Sequence, residues 1–342
     1  MMSLSQDAAA TTGSGAKVIF CAECSDTLFR VYGQDCLPKA EKYLGAKPFP
    51  QVLSKQEVRE NADKLKEVEA IFSTWTMPTL GEDELQYLPN LKGIFYAAGS
   101  VKGFASPLLE RGIFVVSSWM MNAIPVAEFT LGQILLGNKG FFRNNRELHA
   151  RLKTPHFGPG NYRQSVALLG VGQIGRRVID LLRPFQMDVA VFDPYLPAAQ
   201  AESLQVRSVS LEDAFAHGHC VSNHLANVPE TKEMIRGKHF ELMRPDAVFI
   251  NTGRGATVHQ AEMIEVLKKR PDLSVLLDVW TEDDSSSELF ELSNVFLSSH
   301  IAGSANGELA RMAEFVFEQY RAWQRGEPKQ GEVSLEMLPT MA

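Results

Sequence analysis

The sequence predicts an α/β protein made of two doubly wound parallel sheets. Three observations carry this. Short apolar runs alternate with helical stretches along most of the chain, the pattern of parallel strands covered by helices on both faces. Residues 165–193 read strand, glycine turn, helix, strand and acid without interruption. The chain has 342 residues, enough for two domains.

The stretch 165–193 organises the rest. An apolar run, 166–169, leads into Gly170, Gly172 and Gly175 in G-x-G-x-x-G spacing, with Gln173 and Ile174 between them. Gly170 lets the strand turn sharply, Gly172 lets a pyrophosphate approach the backbone, and Gly175 lets the helix lie close to the strand. Ile174, Val178, Leu181 and Leu182 recur at helical spacing, and Pro184 ends the helix. The start of that helix offers unpaired N–H groups and a partial positive charge to phosphates. A second apolar run, 189–192, ends on Asp193, 18 positions beyond Gly175. A carboxylate near that separation accepts bonds from the adenosine ribose. It also repels a 2′-phosphate, so NAD is expected over NADP. Pro194 and Tyr195 supply no arginine, although Arg176 and Arg177 lie close in sequence.

Taken in order, residues 1–16 are small and polar, without the basic start or apolar core of a signal peptide. They are expected to form a disordered tail. Strands are expected at 17–21, 69–74, 91–97 and 113–117, and helical stretches at 27–44, 81–88 and 103–111. A long apolar stripe over 122–144 (Val126, Phe129, Ile134, Leu135, Phe141) reads as a helix bridging two domains, with Asn122 as its N-cap and Glu128 in its first turns. Beyond Asp193, helices are expected at 211–215, from 229–235 and at 261–269. Strands are expected at 220–223, 247–250, 274–277 and 295–297. The stretch 307–325 reads as a helix with Leu309, Met312, Phe315, Val316, Tyr320 and Trp323 on its apolar face. It is expected to return to the first domain.

Composition narrows the function. Hydrophobic residues make up 45% and charged residues 22%, ordinary for a soluble globular protein. A net charge of −7 gives no general affinity for nucleic acid or an anionic membrane. No apolar run is long enough to span a bilayer. Cys21 and Cys24 form a C-x-x-C without a second ligand pair, and read as reduced thiols at a strand-to-helix turn. Reduced cysteines, Cys36 and Cys220 included, fit a cytoplasmic protein. The histidines at 149, 156, 217, 219, 224, 239 and 259 show no metal-ligand spacing, so no metal is expected.

In open α/β sheets ligands bind at the carboxyl ends of the strands. Asp193, Arg254, Asp278 and His300 all fall at such ends, with the acidic run 281–284 nearby. Arginine binds a carboxylate through two parallel hydrogen bonds. Histidine exchanges the proton of a hydroxyl as hydride leaves or arrives. An acid beside it favours the protonated imidazole. That assembly interconverts a 2-hydroxy acid and a 2-oxo acid. Each residue has a structural alternative: His300 as a hydrogen-bonded loop histidine, Asp278 as a turn former. Arg254 lies between two glycines, a poor place for a surface arginine.

The order GVGQIG, VFDPY, NTGRGA, LDVW and SSHIAGS resembles the D-isomer-specific 2-hydroxyacid dehydrogenase family over roughly 91–325. The resemblance implies a Rossmann-type NAD-binding domain at 121–303 and a flavodoxin-like substrate domain at 17–120 and 304–342. Interdomain helices, including the NAIPVAEFT stretch, would join them, with the two domains closing over a cleft, usually in a homodimer. It makes Arg254 the carboxylate anchor and His300 the acid/base. Gly99, Ser100 and Val101 would bind the carboxylate through backbone N–H groups. The implied cofactor set is Gly170, Gly172, Gln173, Ile174, Gly175, Asp193, Thr252 and Asp278, the last contacting the nicotinamide carboxamide.

One departure matters. The family has a glutamate followed by proline five places after the aspartate of its DV pair. Here that place holds Asp283, no proline follows, and Glu282 stands one earlier. Asp283 with a shorter reach is preferred as the partner of His300, with Glu282 as the alternative if the loop shifts register. The substrate pocket is expected to draw on residues 95–104 and 119–121 and on Trp280, which suits a bulky or apolar substituent. Competing expectations within this fold are a formate or phosphite dehydrogenase and an NAD-sensing corepressor. Formate relatives carry a glutamine in place of the glutamate, which is lacking here. A corepressor would be favoured by a long tail, and only a short one follows Arg325.

Overall fold

The computed structural model describes residues 16–152, 156–281 and 287–341. In chain order the strands are β1 Val18–Cys21, β2 Pro48–Leu53, β3 Ala70–Ser73, β4 Gly93–Tyr96, β5 Phe114–Ser117, β6 Ser165–Leu169, β7 Asp188–Phe192, β8 Arg207–Ser208, β9 Cys220–Asn223, β10 Val248–Asn251, β11 Ser274–Leu277, β12 Val295–Leu297 and β13 Glu332–Val333. Contacts divide the chain into two units, 16–118 with 310–335, and 119–309 with 336–341.

The first unit holds a six-stranded sheet in the order β13-β5-β4-β3-β1-β2. Reading β2-β1-β3-β4-β5 gives the flavodoxin-like winding, and β13 adds an antiparallel edge to β5. Phe20, Phe72 and Phe95 sit directly opposite one another on β1, β3 and β4. Their rings stack with centroids 5.4 and 5.2 Å apart. Tyr32 from the helix Ser25–Tyr32 and Phe317 and Tyr320 from the helix Leu309–Gln324 pack against this ladder. Full burial of each phenylalanine contributes about 1.5–3 kcal/mol. The long C-terminal helix thus completes the core of the first unit.

Two local expectations needed correction here. The helical stretch 27–44 is two helices, Ser25–Tyr32 and Cys36–Leu44, because Gly33 closes the first with φ +90°. Strand β2 adds to the expected strands, and it carries Pro48 and Pro50. Among the described residues it is the sheet edge, paired with β1 alone, and an edge tolerates missing N–H donors.

The second unit holds seven parallel strands in the order β12-β11-β10-β9-β6-β7-β8. Read from β8, this is the doubly wound 3-2-1-4-5-6 order with β12 as a seventh strand. The winding reverses between β6 and β9, so the glycine turn after β6 lies at the switch point. The helix expected over 122–144 spans Trp119–Asn138, three residues ahead of the expected start, and a separate helix follows at Phe141–His149. Gly140 breaks them with φ +71°, where a side chain would meet the Gly158 backbone at 2.5 Å. Asn122 is therefore not an N-cap. It lies in the first turn, and its Oδ1 accepts the Ser304 N–H at 2.9 Å. The helix expected from 229–235 is a single tight turn, Pro229–Thr231, because Glu233 turns the chain with φ +50°. The helix follows at Gly237–Leu242. Among the described residues, no helix is long and apolar enough to cross a membrane.

Candidate active site

The three glycines meet three different surroundings. Gly170 has φ +90°, and a side chain there would lie 2.7 Å from the His224 carbonyl. At Gly175 it would lie 2.2 Å from the Gly170 carbonyl. Both glycines are required by the fold. Gly172 has nothing within 4 Å where its side chain would be. It is the N-cap of the helix Gln173–Leu182, which no side chain caps. The fold does not need a glycine there, whereas an approaching pyrophosphate does. The N–H groups of Gln173, Ile174 and Gly175 open the helix at that point.

Asp193 ends β7 beside this turn. Its Oδ2 accepts the Val171 N–H at 2.7 Å and its Oδ1 accepts the Tyr195 N–H at 2.8 Å. Each oxygen keeps a lone pair, so the carboxylate that shapes the glycine loop can also accept ribose hydroxyls. Arg176 donates to Gln200 Oε1 at 2.7 Å.

Strands β9 and β10 end side by side on Asn223 and Asn251, both buried. Asn223 Nδ2 donates to Asn251 Oδ1 at 3.0 Å and to Thr257 Oγ1 at 2.8 Å. Thr257 Oγ1 donates to the Arg254 carbonyl at 2.8 Å. The Arg254 guanidinium donates to the Gly253 carbonyl at 2.8 Å, and no carboxylate pairs with it among the described residues. It is half-buried, and burial lowers its pKa from the ordinary value. A cation held out of water without a counter-charge is a ready anion site.

Thr252, two residues before Arg254, is buried and its hydroxyl lies 3.1 Å from Thr130 Oγ1 and 3.4 Å from His224 Nδ1. His224 Nε2 lies 3.0 Å from Ser222 Oγ. Burial pulls this imidazole from 6.5 down to about 3, so it is neutral.

Asp278 follows β11 and is buried. Its Oδ1 accepts from Ser298 Oγ at 2.6 Å and from the Ile301 N–H at 2.9 Å, and its Oδ2 accepts the Ala302 N–H at 2.9 Å. The His300 N–H reaches the Asp278 carbonyl at 3.1 Å. Asp278 therefore holds the loop that presents His300, and one acceptor position on Oδ2 is left for a carboxamide. His300 is exposed and has φ +57°, a costly conformation for a residue with a side chain. The expected partners Asp283 and Glu282 lie outside the described residues.

In the first unit, the loop after β4 carries Gly99, Ser100 and Val101. Ser117 Oγ donates to the Ala98 and Gly99 carbonyls at 2.9 and 2.6 Å. Among the described residues, no acceptor takes the N–H groups of Gly99, Ser100 or Val101. The loop is a row of free donors, suited to an anion.

The residues missed from sequence are Asn223, His224, Asn251, Thr257 and Ser298, which hold loops. A signal existed: β9, β10 and β11 each run from apolar residues into Asn, Asn and Asp.

Comparison with known proteins adds independent findings. Residues 131–302 match the model of the D-isomer specific 2-hydroxyacid dehydrogenase NAD binding domain. A D-3-phosphoglycerate dehydrogenase of Methanocaldococcus jannaschii is 28% identical over 238 residues, 67% of this chain and 45% of its own length. The chain thus spans less than half of that relative. A glyoxylate reductase of Thermococcus litoralis is 26% identical over 78% of this chain and 83% of its own. A phosphoglycerate oxidoreductase from Rhizobium etli shares the fold with a TM-score of 0.77, at 21% identity over 94% of this chain and 99% of its own. With half of its length under that family model, the chain belongs to the D-isomer specific 2-hydroxyacid dehydrogenase family.

Proposed function

We propose that the protein is an NAD-dependent oxidoreductase that interconverts a D-2-hydroxy acid and a 2-oxo acid. The observation that carries this is the half-buried Arg254 guanidinium without a carboxylate partner among the described residues, on the same sheet edge as the glycine turn. Arg254 would take the substrate carboxylate through two parallel hydrogen bonds. The N–H groups of Gly99, Ser100 and Val101 are proposed as further carboxylate donors. His300 would give its proton to the oxygen on C2 in reduction and take it back in oxidation. Bound nicotinamide would supply or accept the hydride at C2. Asp278 is proposed to accept from the carboxamide with the position left on Oδ2. Asp283, or else Glu282, is proposed to hold His300 in its protonated form.

Gly170, Gly172, Gln173, Ile174, Gly175, Asp193 and Thr252 are proposed to line the dinucleotide. Asp193 supports NAD over NADP, because its charge opposes a 2′-phosphate and Arg176 is turned to Gln200. A homodimer is proposed, supported by exposed Leu136, Phe141, Leu148, Leu152 and Phe157 in one stretch of the second unit. Cytoplasmic residence is proposed on four unpaired thiols.

The test is NADH oxidation against a panel of 2-oxo acids, with Arg254→Ala beside the wild type. Turnover by the wild type and none by the variant, both binding NADH, supports the reading. Wild-type turnover in Arg254→Ala removes the arginine from the chemistry. Tight NADH binding with no turnover of any acid favours an NAD sensor instead.

A further inference from the structure

The backbone around Arg254 is held from several directions by neutral groups. Asn223 and Asn251 satisfy each other and the loop: Asn251 Oδ1 accepts the Gly253 N–H at 3.1 Å as well as Asn223 Nδ2 at 3.0 Å. Asn251 Nδ2 reaches the Arg254 carbonyl at 3.4 Å, a weak bond. Thr257 Oγ1 accepts from Asn223 and donates to that same carbonyl, both at 2.8 Å. Asn223 Oδ1 accepts the Leu225 N–H at 3.2 Å. On the other side, Gly255 packs so closely that a side chain would meet the Trp280 backbone at 2.2 Å.

We propose that Asn223 and Thr257 are the positioning residues of Arg254, fixing through the Arg254 carbonyl where its guanidinium stands. The argument is one of donors and rigidity. Asn223 spends both N–H donors inward, on Asn251 and Thr257, and Thr257 passes the constraint to Arg254. All three side chains are buried, so no water competes for these bonds and losing one leaves a buried group unpaired. Amides and a hydroxyl do this without charge. Fixing a loop between two glycines, whose φ and ψ are otherwise free, is what bidentate recognition of a carboxylate requires.

The proposal rests on Arg254 as the carboxylate anchor, and the experiment separates the two. Asn223→Asp keeps the shape and the Leu225 acceptor but cannot donate. Thr257→Val removes only the hydroxyl, and Thr257→Ser restores it. Each variant is measured for NADH affinity by fluorescence, for Tm, and for kcat and KM with the 2-oxo acid the wild type reduces best. Asn223→Asp and Thr257→Val should raise the KM of the 2-oxo acid by about tenfold or more, with NADH affinity within about twofold. Thr257→Ser should stay close to wild type. Thr257→Val carries the test if Asn223→Asp does not fold. A folded Thr257→Val with wild-type KM, next to an inactive Arg254→Ala, overturns the positioning role alone. An active Arg254→Ala, or a wild type that reduces no 2-oxo acid, overturns the anchor and this proposal together.

Discussion

At the carboxyl edge of the second sheet, four strands end in carboxylates or amides whose oxygens accept loop N–H groups. Asp193 takes Val171 and Tyr195, Asn223 takes Leu225, Asn251 takes Gly253, and Asp278 takes Ile301 and Ala302. The first sheet ends in hydroxyls that donate to carbonyls: Ser73 to Cys21, Thr74 to Ala97, and Ser117 to Ala98 and Gly99. The two edges consume opposite halves of the peptide group. Where side chains accept, the N–H groups of the loops after β9, β10 and β11 are taken up, and what those loops offer an anion is a cationic side chain, Arg254. Where side chains donate, the backbone carbonyls are used up, and the N–H groups of residues 99–101 remain to face an anion. One edge offers negative charge a guanidinium, and the other offers it backbone dipoles.

The sharpest way to break this contrast is to remove the one side chain on which the second edge depends. Arg254→Ala should lower kcat/KM for a 2-oxo acid by about a thousandfold or more, the loss of a strong bidentate ion pair in a water-poor site. Steady-state kinetics beside NADH fluorescence would show it. The glycine pair comes next. Gly175→Ala forces a carbon against the Gly170 carbonyl and should cost about 1–3 kcal/mol of stability, along with NADH affinity. Gly172→Ala meets nothing, so its Tm should stay at the wild-type value while NADH affinity falls. A Gly172→Ala protein that binds NADH normally would deny that loop its ligand.

Ser117→Ala tests the first edge. It leaves the Gly99 carbonyl short of a donor, while Ala98 keeps the Ser118 hydroxyl at 3.2 Å, at a cost of about 1–3 kcal/mol. It should raise KM for the acid without touching NADH affinity. An unchanged KM would mean the free N–H row meets no substrate.

The last test is in pH, where the effect builds up gradually. Burial lowers the pKa of His224 to about 3 and that of His219 to about 4, from 6.5. Between those values and 6.5 the unfolded chain binds protons that the folded chain refuses. Stability is therefore complete above pH 6.5 and declines as pH falls, at up to about 1.4 kcal/mol per unit for each histidine. Thermal melts from pH 7 to pH 5 should show the decline, and His224→Gln should reduce its slope by about half, leaving the share of His219. An equal slope in that variant would mean His224 is protonated in the fold.

Much of this architecture was legible beforehand. Continuous apolar runs such as 166–169 gave the buried strands, because a strand covered on both faces has no polar side to show. The spacing of Gly170, Gly172 and Gly175 placed the dinucleotide turn, since only glycine serves at a positive φ or at backbone contact. Edge elements escaped notice. β2 contains two prolines, and β8 has two residues, both exposed, so neither shows an apolar signature. The loop-holding residues escaped for another reason. Asn223, Asn251 and Thr257 are common polar types, and their partners lie up to 34 positions away. The bonds that Asp278 accepts from Ser298, Ile301 and Ala302 form only when β11 and β12 pair.

By itself the sequence determined the α/β class, the two parallel sheets and the glycine turn, and it named the arginine and histidine with the chemistry to bind an anion or move a proton. Those are properties of local spacing and of side-chain chemistry, and they survive without coordinates. Only the tertiary structure decided which hydrogen-bonding groups were already spent. Whether an aspartate greets a ligand or braces a loop depends on which N–H groups the register of neighbouring strands delivers to it. That register is set by packing across the whole sheet.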